Sequence, residues 1–553
     1  MRTWLLLLVF PTLLKAQCDK TPSATPTTWY VATNGNDANA GTVLQPFRTI
    51  QKAIDTARPN DTIELRGGTY VLNNELRIRT SNLTLRSYAS EWAIIQAPTH
   101  IEDISSTIWY SEPCVVGGML ENLEIIGGYY YGLKFENNLG WDEPIVHGTS
   151  NITVRNCKIH HTGRDCIKLV PYCDNIAILN CEIHHSGVGI ANVSAQNAEG
   201  IDNVNGDQML VRGCYIHDIA TTGLYAKGGA KNTVIENNLI VNCGEFGVML
   251  GVGGTDNDLF DPNNQTYYYE NFDGIIRNNI VANTKHGGVG LIAAVRPQVL
   301  NNTFANVGSE ALAPLYIGPN EVWVSETTTI ASPCVDVKVI NNIFVENEAS
   351  TLPMVRIRFH QDYQASGISG TNNEIDYNRY FRNTTSPTYT YLQTSNLTFT
   401  QWRTTSGFDA HSSEGNPALT PQYHLNSNSV CINAGKSLQN VNVDYDGTNR
   451  TFPLDIGADE WGGNSLTVPP PVGVIGTGLR TIPCVSSIST TDLPSTIATN
   501  QRFETNGAIT ATNKVLPTGT ATYDAGTYVL LKAGFEAQKG AVFTAFLEGC
   551  GNK

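Results

Sequence analysis

The chain has 553 residues, 50 Asp and Glu against 35 Lys and Arg, a formal net charge of -15, and 50 glycines. Only 15% of residues are charged, which excludes a set of long amphipathic helices and favours a turn-rich all-β protein with more than one domain. The acidic balance excludes nucleic acid as a partner, because phosphate binding needs a basic surface; an acidic polymer would need a local cationic site or a bridging metal.

Residues 1–17 carry one Arg, then an apolar run too short to span a membrane comfortably, then a small-residue end. This pattern predicts a secretory signal cleaved near Ala16 or Gln17, hence a secreted or cell-surface protein; Gln17 makes lipidation of Cys18 the weaker alternative. No other stretch predicts a membrane span. Export permits disulfides among the twelve cysteines, and Cys166 with Cys173 and Cys484 with Cys550 are candidate pairs.

From residue 152 a repeat dominates. "ITVRNCKIHHTG" (152–163), "IAILNCEIHHSG" (176–187), "MLVRGCYIHDIA" (209–220), "TVIENNLIVNCG" (233–244), "GIIRNNIVANTK" (274–285) and "PQVLNNTFANVG" (297–308) each place two short β runs around a polar or small pair. Coils of this length cannot bury a face alone and must stack, which predicts a parallel β-solenoid with equivalent residues in columns ~4.8 Å apart. Cys157, Cys181 and Cys214 then share an inward turn column with Asn238, Asn279 and Asn302. His160, His184 and His217, beside His161, His185 and Asp218, form a second column; a turn ladder is the economical reading and a metal site the alternative. Arg212, Glu236 and Arg277 form an outward charge ladder.

The last strand of each coil reads "GLKFE" (132–136), "CIKLV" (166–170), "GIDNV" (200–204), "GLYAK" (223–227), "GVMLG" (247–251) and "GVGLI" (288–292). Alternation puts the apolar positions inside, with Asn203 the exception, and turns the others outward. One outward column is Lys134, Lys168, Asp202, Tyr225, Met249 and Gly290; the next is Glu136, Val170, Val204, Lys227, Gly251 and Ile292. With Asp165 and Glu199 just ahead of their strands, Asp165, Lys168, Glu199, Asp202, Tyr225 and Lys227 gather on one face. Insertions at 137–147, 187–198 and 252–272 surround this patch and predict binding walls. Trp141, Phe260 and Tyr268 are the aromatic candidates for sugar stacking, with Tyr267 and Tyr269 beside them. Gly228 and Gly229 predict open space next to Lys227.

The opening segment "WYVATNGNDANAGTVLQPFRTIQKAIDTARPNDTIELRGGTY" (29–70), with a predicted capping helix from Phe47 to about Ala57, resembles the start of secreted right-handed parallel β-helix proteins. It is notably similar to polysaccharide lyases of the family-nine pectate lyase type. The segment "DYDGTNRTFPLDIGADEW" (444–461) is similar to their closing stretch, so the resemblance spans 29–462. It implies β-elimination at a uronic acid in an acidic polysaccharide, with Ca²⁺ held by carboxylates and a Lys or Arg removing the C5 proton. Asp165, Glu199 and Asp202 are the candidate ligands. The family's lysine matches Lys168, two residues after Cys166, although the family's aspartates flanking a Gly-Tyr pair are absent and only Asp165 in "RDCIK" corresponds. Lys227 is the favoured base and Lys168 the alternative, because Asp202 would hold Lys168 charged.

Two other functions fit the same patch: a glycoside hydrolase using two of the carboxylates, and a non-catalytic glycan-binding or adhesin solenoid. Residues 463–479 form a Gly- and Pro-rich linker. Residues 480–553 alternate short strands with glycines and resemble a small β-stack module at the C-termini of exported Bacteroidetes proteins. A monomer is expected.

Overall fold

The computed structural model describes residues 20–22, 24–137, 147–189, 197–347 and 350–462, and short strands between 496 and 546. The expected signal segment and linker, and Trp141, Cys484 and Cys550, lie outside the described residues. From Thr28 to Glu414, short strands stack into three long sheets of 12, 13 and 12 strands, in parallel except for the hairpin strands Ala365–Ser366 and Thr394–Leu397. Each coil adds one strand to each sheet, which is a parallel β-helix.

The interior follows from the alternation. Ile159, Ile183, Ile216 and Ile240 stand in register on successive coils and are all fully buried, and the column continues through Val281, Phe304, Phe344 and Tyr380. Each such side chain contributes ~1.5–3 kcal/mol of apolar burial. The corners turn through asparagines in the left-handed region, such as Asn156, Asn180, Asn237 and Asn278, a conformation Asn tolerates at little cost.

The residue after each of these corners points inward and forms the expected turn column. Asn238, Asn279, Asn302, Asn342 and Asn378 make an amide ladder. From Asn279 onward each amide oxygen accepts from the backbone N–H and side-chain Nδ2 of the preceding asparagine at 2.9–3.1 Å, and that of Asn238 accepts from the Cys214 N–H at 2.8 Å. Cys157, Cys181 and Cys214 extend it as buried free thiols. Cys166 and Cys173 are also free, which corrects the expected bridge. The Cys166 thiol faces Thr162 and the carbonyl of His184, whereas that of Cys173 faces the carbonyl of Glu136. Cys114 is disulfide-bonded.

The helix α1 (Ile50–Thr56) covers the N-terminal end of the core with Ile50, Ala53 and Ile54. It starts later than expected: Thr49 is its N-cap, and Phe47 bridges to Val31. The other end is closed by α2 (Phe399–Ser406), which buries Trp402 and starts with a Thr398/Gln401 capping box. Outside, Glu236 pairs with Arg212 and Arg277 as the expected charge ladder. In the C-terminal segment, strands Asn500–Thr505, Thr520–Ala525 and Val542–Phe546 pair in parallel. No helix among the described residues is long and apolar enough to cross a membrane.

Candidate active site

The site lies on the outward face of the 13-stranded sheet. Register places Lys134 beside Lys168, Lys168 beside Asp202, Asp202 beside Tyr225, Tyr225 beside Met249 and Met249 beside Gly290, as the repeat predicts. Val204 pairs with Lys227, so Lys227 follows two residues after Tyr225 on the same face. Asn203, the polar exception among inward positions, exchanges hydrogen bonds with the backbone of Gly206 at 2.9 Å and so closes its corner.

Asp165, Glu199 and Asp202 converge, each offering an oxygen within 4.8 Å of the others. Asp165 and Asp202 are both 1% exposed. Asp165 Oδ1 accepts from the Glu199 backbone N–H at 3.1 Å, and Thr221 donates to Glu199 at 3.0 Å. With its amide oriented to donate, Asn197 bridges Asp165 at 3.0 Å and Glu199 at 2.7 Å. Lys168 donates to Asp202 Oδ2, whereas Asp202 Oδ1 is buried with no hydrogen-bond partner.

This crowding moves the protonation equilibria. Burial, and then the neighbouring Asp202, push the Asp165 carboxyl up to about 6. Burial with Asp165 and Asp202 pushes Glu199 well above the carboxylate range. Burial by itself would lower the Lys168 ammonium, but Asp202 and then Asp165 outweigh it and raise it, so Lys168 stays charged.

Tyr225 is only 4% exposed and packs with Phe246, Met249, Ile292 and Tyr316. Burial, and then Asp202, Glu199 and Asp165, raise its phenol well above the ordinary value, so it stands as a neutral wall. Lys227 Nζ lies 5.0 Å from the centre of the Tyr225 ring. It makes no ion pair or hydrogen bond among the described residues. Behind it, Glu270 is fully buried and accepts from the Gly228 N–H at 2.8 Å and the Thr255 hydroxyl at 2.9 Å. Burial pushes the Glu270 carboxyl up to about 8 against those hydrogen bonds and the charge of Lys227. Glu270 was not legible as a site residue, since it sits in an insertion with no repeat partner.

Two expectations are corrected. Phe260 and Tyr268 are not stacking platforms: both are buried, meet edge to face at 5.2 Å, and pack the 252–272 loop against Val322. Gly228 and Gly229 do not open space beside Lys227. Both have positive φ, and a Cβ on Gly229 would stand 3.0 Å from Asn264 of that loop. These glycines are required by the turn, not by a ligand. The histidine column is the ladder expected: His160, His184 and His217 stack at 4.5 and 4.7 Å with rings within 11° of parallel. Ligand atoms of His160, His161 and His184, and of Glu182, His184 and His217, lie within 4.8 Å of one another.

The sequence matches the family model of a Pel9A-like right-handed β-helix region over residues 29–201 and that of a right-handed β-helix region over residues 145–316. Pectate lyase PEL9 of Emericella nidulans is 35% identical over 166 residues, covering 29% of this chain and 35% of that protein. The chain thus spans about a third of that curated relative. Among solved structures, pectate lyase Pel9A is 16% identical with a TM-score of 0.44, covering 79% of this chain and 97% of its own. A rhamnogalacturonan lyase is 15% identical with a TM-score of 0.44, covering 63% and 87%. The protein is a right-handed parallel β-helix and resembles the Pel9A-like group.

Proposed function

We propose that this chain is an exported polysaccharide lyase that cleaves a uronate-containing polymer by β-elimination. One observation carries the reading. A converging group of three carboxylates lies on the two coils before that of Lys227, which faces the same side with no ion-pair partner among the described residues. Coil spacing and strand rise separate the Cα atoms of Asp202 and Lys227 by roughly 8 Å, room for one sugar ring between the two groups.

The carboxylate group fits calcium. Its oxygens converge, Asp202 Oδ1 has no partner, and burial drives Asp165 and Glu199 toward a protonation that a cation would reverse. Asp165, Glu199 and Asp202 would hold the ion. When bound, calcium would neutralise the substrate carboxylate and acidify the adjacent C5 hydrogen. Lys227 takes the C5 proton, the C–H electron pair becomes the C4–C5 double bond, and the glycosidic oxygen leaves from C4. Lys168 remains charged and orients the uronate carboxylate. Glu270, protonated up to about pH 8, adds no negative charge behind Lys227.

The arrangement argues against a hydrolase. The three carboxylates stand together on one side of the patch, whereas a glycosidase pair flanks the scissile bond from two sides. The test is ultraviolet absorbance of unsaturated uronates on pectate, alginate and glycosaminoglycans, with calcium or chelator. A calcium-dependent rise that Lys227→Ala removes is expected. No rise on any of them, with reducing ends released from neutral glycans, would replace elimination by hydrolysis; no product from any of these glycans would favour a binding protein.

A further inference from the structure

The column that holds Lys227 continues toward the C-terminal coils. Ala226 pairs with Leu250, Leu250 with Leu291, Ile292 with Gly318 and Ile317 with Ile357. Extending each register by one residue aligns Lys227, Gly251, Ile292, Gly318 and Arg358. Arg358 therefore stands four coils from Lys227, roughly 19 Å at ~4.8 Å per coil.

A cleft of about 600 Å³ opens there, lined by Ile292, Glu321, Trp323 and Arg358 together with Gly253 and Gly254. Its size is that of a small-ligand site. Trp323 is 72% exposed, yet its neighbour Val322 is buried against Phe260 and Tyr268, so the ring rises from a packed base. Gly253 and Gly254 have nothing within 4 Å of a notional Cβ, so their part of the lining is uncrowded backbone. Arg358 pairs with Glu321 at 3.5 Å, and Glu321 also meets His360 Nε2 at 2.5 Å.

We infer that this cleft is a distal subsite for a neutral pyranose, stacked on Trp323 with its hydroxyls bonded to Glu321 and Arg358. The inference rests on the lyase reading and deepens it: the polymer cleaved beside Lys227 carries a neutral sugar about four units away, one unit per coil. A second uronate is disfavoured because Glu321 already neutralises Arg358, and Asp256 adds a further negative charge to the lining. The exposed indole face suits the C–H face of a sugar, and the ion pair offers donors and acceptors to vicinal hydroxyls.

The full chain is titrated with neutral hexasaccharides of β-linked glucose, galactose and xylose and with a hexa-uronate, following tryptophan fluorescence; unsaturated product is measured separately. At least one neutral hexasaccharide should bind, weakened about tenfold by Trp323→Ala and largely kept by Trp323→Phe. No neutral binding, or binding indifferent to Trp323→Ala, overturns the subsite whether or not product forms. Trp323-dependent binding without unsaturated product from any uronate polymer overturns the lyase reading instead.

Discussion

Two polar columns run through the same solenoid and differ in how they are satisfied. In the asparagine ladder every amide finds its partners in the coils above and below, with hydrogen bonds of 2.9–3.1 Å between successive asparagines. In the outward column, Asp202 keeps a buried oxygen without a partner, and Asp165 and Glu199 are pushed toward protonation by their neighbours. A polar column closed on itself holds the coils together. One left electrostatically incomplete is poised for a cation or a substrate, at a cost to stability.

The largest effect expected from breaking the outward column is catalytic. Lys227→Ala should lower turnover about a thousandfold, the scale of a lost general base, while its denaturation midpoint stays near that of the parent. Initial rates and urea unfolding on the same preparation check both halves. A comparable loss of stability would mean that Lys227 belongs to the packing and not to the chemistry.

Breaking the inner ladder should do the reverse. Asn302→Ala removes the acceptor for the Asn279 N–H and the donor to Ile276 and Leu300 in a fully buried layer. The cost should be about 3 kcal/mol in urea unfolding. Glu270→Gln sharpens the contrast through pH. The folded carboxyl keeps its proton to about 8, whereas the unfolded one loses it in the ordinary range, so this group's contribution falls as pH rises between those limits. Unfolding at about pH 5 and about pH 9 should show the variant gaining on the parent by up to about 4 kcal/mol at the higher value. Arg212→Ala removes a half-exposed partner of Glu236, which keeps Arg277, and should cost about 0.5 kcal/mol and less in high salt.

Much of this architecture was legible because a solenoid writes its tertiary contacts as a period. The spacing from Cys157 to Cys181 and from Cys214 to Asn238 fixed which residues stack, and the column from Lys134 to Gly290 lies in the expected register. The second capping helix was missed although "TFTQ" (398–401) carries its capping box; eight residues gave too short a periodic signal. The loops were misjudged for another reason. Phe260 and Tyr268 have the same composition signature whether they face solvent or pack the loop down, and Trp323 had no repeat partner to mark it.

By itself, then, the sequence determined the coil period, the inward and outward faces, and the gathering of Asp165, Glu199, Asp202 and Lys227 on one side, because alternation and repeat length are local properties of the chain. Only the tertiary structure decided which groups are desolvated and which aromatics are free. It buried Tyr225 and Glu270, left Asp202 Oδ1 without a partner, filled the space around Gly229 and exposed Trp323. Those outcomes depend on non-repeating loops folding back on the solenoid, where distance along the chain carries no information about distance in space.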